Sequence, residues 1–135
     1  MSSLPSESAR KPPGDADPGN SAAVVELARE IRRLADRYRH LSESRLRARI
    51  DPDDPSDPGR TRARVGLELA RTLAALGDAP AGREVPDAGV FAVGDQIAVT
   101  GLDLVAYLRR GPLHPDDTTP ETALAAVRAL AARVF

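Results

Sequence analysis

The sequence predicts an all-α protein, a small four-helix bundle-like domain behind a disordered N-terminal tail. Two observations predict it. Apolar residues recur at alternating spacings of three and four along the chain, the mark of one buried face on an α-helix. The chain also has only two Tyr, two Phe and no Trp in 135 residues. Its core must therefore be built from Leu, Val, Ile and Ala, which suits closely packed helices better than sheets that lean on β-branched and aromatic side chains.

Residues 1–20 hold Pro5, Pro12, Pro13, Pro18, Gly14 and Gly19 and almost no large apolar side chain. Ordering them would cost entropy with little burial in return, so they are expected to form a disordered tail. Residues 21–135 are expected to be a single helical domain. Asn20 or Ser21 is placed to cap the first helix. There Val24, Leu27, Ile31, Leu34, Tyr38 and Leu41 form one stripe, the strongest periodic signal in the chain.

Residues 42–50 are ambiguous. Leu46 and Ile50 extend a helical face, while residues 45–50 also alternate with period two; a short helical continuation is favoured. It must stop at Asp51 and Pro52, because each Pro pushes its predecessor out of the helical region. Residues 51–60 are therefore a linker. A second helix is expected over residues 61–76, with Val65, Leu69, Leu73 and Leu76 on one face and Gly77 closing it in a left-handed conformation. Residues 78–86 read as loop.

Residues 90–110 admit two readings. Gly94-Asp95 suits a type II′ hairpin turn, yet Val90, Val93, Ile97, Gly101, Leu104 and Leu108 continue one helical stripe. A lone hairpin is marginal without further strands. A third helix is preferred, although Gly94 and Gly101 each cost it up to about 1 kcal/mol relative to Ala. The last helix is announced by Thr118-Thr-Pro-Glu121, a capping box with Pro120 in the first turn. Its stripe is Leu124, Val127, Leu130 or Ala131, and Val134.

Composition narrows the chemistry. With no Cys there are no disulfides, thiolate nucleophiles or cysteine-bound metals. No apolar run near the N-terminus suggests a leader or a span, so a cytoplasmic location and no membrane partner are expected. A formal net charge of -1 argues against a whole-protein basic field. Of nineteen basic residues only Lys11 is a lysine, a bias that GC-rich coding explains without reference to function.

The one charged surface worth weighing is Arg-rich. Arg29, Arg33 and Arg37 fall at spacing four on the first helix, and Arg45 and Arg49 follow. A phosphate backbone or other polyanion would fit along such a strip. The plainer reading is a solvated face laced by Glu26–Arg29, Glu30–Arg33 and Glu43–Arg47 pairs, with the acidic linker folding back to neutralise it. No aromatic residues interleave the arginines to stack bases, so nucleic acid is an unfavoured partner.

Other constellations are weaker. Asp51, Asp53, Asp54 and Asp57 suggest a calcium loop, but Ser56 stands where the sharp-turn Gly belongs and Arg62 where the bidentate Glu belongs. His40 and His114 are too few for a histidine zinc site. His114-Pro-Asp-Asp117 reads better as a turn than as a general base with its orienting carboxylate. Ser42 and Ser44 lack a nucleophile context, and residues 94–101 match no phosphate-binding loop. No cofactor, metal or catalytic residue is expected. An unrecognised enzyme would centre on Asp95, Asp103 or His114. On the predicted third helix Gly94, Ile97, Gly101 and Leu104 make a smooth strip, either a seam for packing within the bundle, which is favoured, or a groove for a partner.

Residues 93–104, Val-Gly-Asp-Gln-Ile-Ala-Val-Thr-Gly-Leu-Asp-Leu, together with the Arg-rich first helix and the Leu/Ala second helix, resemble a family of small uncharacterised helical proteins from high-GC actinobacteria. The resemblance covers residues 22–110. It implies His where this chain has Leu102, a departure that weakens any histidine-dependent site, and it implies no activity. The expected function is a non-enzymatic helical protein-protein interaction module that self-associates, with a homodimer as the simplest partner. Polyanion binding through the Arg strip and an unrecognised enzyme are the alternatives.

Overall fold

The computed structural model describes residues 22–57, 59–77, 84–110 and 119–135. The expected tail, the Asn20 or Ser21 cap and His114 lie outside these residues. Among them the chain is all-α: four long helices, one short one, and no strand.

Helix α1, Ala22–Arg39, buries Val24, Leu27, Ile31, Leu34 and Tyr38, the stripe read from the sequence, with Ala28 and Ala35 filling between them. Arg37 and Arg39 in its last turn complement the negative end of the helix dipole. The expected continuation does not follow. The backbone N–H of His40 is shared between the carbonyls of Asp36 and Arg37, and that of Leu41 bonds to Tyr38, so the helix tightens and ends. Ser42 then starts a separate five-residue helix, α2, Glu43–Arg47, its hydroxyl accepting from the Arg45 N–H. Leu46 anchors α2 in the core at 1% exposure.

The period-two alternation beyond Leu46 survives as one antiparallel bridge between Arg49 and Thr61. Ile50 N–H donates to the Arg60 carbonyl at 3.0 Å and Arg62 N–H to the Ala48 carbonyl at 3.1 Å. The acidic linker is therefore a closed loop with its ends tied. Inside it Asp51, Asp54 and Asp57 each accept a backbone N–H two residues on, the turn chemistry for which Asp is favoured.

Helix α3, Arg62–Leu76, begins on Thr61, whose hydroxyl accepts from the Arg64 N–H. Gly77 ends it, but at φ −94 and ψ 24 rather than in the left-handed region. The reason for glycine there is proximity: a β-carbon would lie 3.3 Å from the Leu104 Cα. The only positive-φ glycine among the described residues is Gly89, at φ 97. It turns the chain into a 3-10 turn, Val90–Ala92, that runs directly into α4, Val93–Arg109. Residues 90–110 thus take the helical reading, and Gly94-Asp95 sits in the first turn of α4 instead of at a hairpin bend.

Helix α5, Pro120–Val134, is capped by Thr119, which accepts from the Thr122 N–H at 3.2 Å. The expected cap, Thr118, lies outside the described residues; with Thr119 as cap, Pro120 takes the first helical position, where its fixed φ and missing N–H are favourable. Helix α4 packs between α1 and α3, and α5 covers the other flank of α1. Glu26 pairs with Arg128 at 3.0 Å, and the Arg62 Nε donates to the Val134 carbonyl at 3.2 Å. Phe135 meets the Tyr38 ring edge-on at 5.6 Å. The core is aliphatic apart from Tyr38, whose hydroxyl donates to the Arg62 carbonyl at 2.7 Å.

Candidate functional site

Helix α4 has two faces with opposite fates. The inner face carries Gly94, Ile97, Gly101 and Leu104, all buried. A β-carbon at Gly94 would lie 2.9 Å from the Ala35 carbonyl oxygen, and one at Gly101 would lie 2.5 Å from Ile31 Cγ2. The space beside both glycines is filled by α1 of the same chain.

The outer face carries Gln96, Val99, Asp103 and Ala106, and Ala92 just before the helix and Arg110 just after it continue the strip, all spaced three or four apart. It forms one wall of a groove of about 780 Å³. Leu73, Ala74 and Gly77 at the end of α3 form the second wall, and residues 84–88 the third. Two side chains hold that third wall in place. Gln96 Nε2 donates to the Pro86 carbonyl at 2.7 Å, and the Arg71 Nε donates to the Val85 carbonyl at 3.0 Å. Small residues at 74, 77, 88, 92 and 106 leave the groove wide, and its lining is mainly apolar. Val99 in its wall is 61% exposed, and Phe91 just before the helix is 64% exposed.

The polar groups of the groove are mostly committed. Thr100 donates its hydroxyl to the Gln96 carbonyl at 2.7 Å. Asp95 pairs with the Arg39 Nε at 2.7 Å across the α1–α4 crossing, an exposed contact of the kind worth about 0–1 kcal/mol. The Gln96 Oε1 is enclosed and without a partner. Asp95 and Asp103 therefore do come to one surface, two turns apart, but among the described residues no three His, Asp or Glu side chains gather to hold a metal ion.

The Arg strip is largely engaged at home. Arg29 pairs with Glu26, Arg33 with Glu30 at 3.3 Å, and Arg47 with Glu43 at 3.1 Å. Arg37 lies over the Phe135 ring, 4.0 Å from its centroid. Arg49 donates to the Asp54 carbonyl, so the acidic loop does fold back toward the strip. The hydroxyl and then the backbone N–H of Ser56 hold the Asp54 carboxyl below its usual range. Of the five arginines on the predicted polyanion strip, only Arg45 has a guanidinium with no ion pair, hydrogen bond or ring contact among the described residues; its backbone N–H caps onto Ser42.

Residues 90–109 are long and apolar enough to cross a membrane by length and composition. Here they supply the central core helix, with Asp95 and Asp103 on the outward side. Sequence reasoning placed Asp95 and Asp103 correctly on one helix but missed the groove, because its other two walls come from residues 73–77 and 84–88. The available signal was faint: Ala92, Val99 and Ala106, each seven residues from the next, on the side away from the buried stripe. Comparison with protein families, with curated proteins and with solved structures finds no match for the chain.

Proposed function

We propose that the chain is a non-enzymatic helical interaction module that self-associates by covering the α4 groove with a second copy. The observation that carries this reading is the outer strip of α4, where Val99 stands 61% exposed in a mainly apolar groove. An exposed apolar cleft of this size favours a partner, since covering apolar surface contributes about 25 cal/mol per Å² removed from water. Lipid is the poorer cover: Asp95 and Asp103 share the strip, and carboxylates facing hydrocarbon are costly. The Arg surface supports the reading less well as an alternative site, because Arg29, Arg33, Arg37 and Arg49 already have partners within the chain.

Sedimentation velocity from one to several hundred micromolar is the test. A mass rising toward that of a dimer is expected, with Val99→Asp shifting the transition at least tenfold upward in concentration while leaving the helical circular dichroism unchanged. A monomer at every concentration overturns the proposal.

A further inference from the structure

We draw no further inference here: the strongest candidate, the groove between the outer face of α4, the end of α3 and residues 84–88, belongs to the site already described, and with Asp95 paired to Arg39 and Arg110 over the Tyr107 ring nothing in the structure shows how a partner lies in it.

Discussion

Replacing Gly101 with alanine sets two effects against each other. Alanine favours the helix by up to about 1 kcal/mol, but its β-carbon would lie 2.5 Å from Ile31 Cγ2 and 2.9 Å from its Cδ1. Ile31 is fully buried and has nowhere to retreat, and overpacking of this kind costs about 1–3 kcal/mol. The clash wins, so Gly101→Ala should lower the urea midpoint at unchanged slope. Tyr38 offers a pH-dependent counterpart. Burial pushes its hydroxyl well above the ordinary value of 10.0, opposed only in part by the nearby Arg62 guanidinium. Above about pH 10 the unfolded chain releases this proton while the folded chain keeps it, so the unfolded state binds fewer protons and stability falls as pH rises. Tyr38→Phe should cost about 1 kcal/mol at pH 7, through the lost bond to the Arg62 carbonyl, and should flatten the fall in urea midpoint between pH 9 and pH 11.

At the level of elements, the caps carry the clearest expectation. Thr119→Ala removes the acceptor for the Thr122 N–H and should destabilise α5 by about 1 kcal/mol, read as a lowered melting temperature. The long helices were legible because their stripes are set by local geometry: α1, α3 and α5 bury the apolar residues that the period of 3.6 selects. Local ion pairs were legible for the same reason, and Glu26–Arg29, Glu30–Arg33 and Glu43–Arg47 all form. The break between α1 and α2 was not, because the stop rests on backbone bonds at His40 and Leu41 that carry no side-chain signature. Gly77 misled in another way. Its place just after a periodic stretch suggests a left-handed cap, whereas the constraint is the approach of Leu104, a residue 27 positions on.

For the molecule as a whole, α4 is the hub: it packs against both α1 and α3, while α5 rests chiefly on α1 and α2 has five residues. Amide exchange should follow that order, slowest around Ile31, Leu73, Ile97 and Leu104 and earlier in α2 and α5. An equal rate across all five helices would mean that the chain opens only globally. Long-range arrangement was beyond the sequence. Arg37 over Phe135, Arg39 with Asp95 and Arg128 with Glu26 join residues 56 to 102 positions apart, and the groove needs three segments that nothing local relates.

The close passage of α1 by α4 also has a mechanical consequence. At Gly94 and Gly101 the backbone of one helix sits directly against the other, so neither can slide along its axis without driving Ile31 or the stem of Arg39 into main chain. The seam is keyed like a tooth in a rack. Pulled lengthwise, the pair should resist with little stretch and then give way in a single slip.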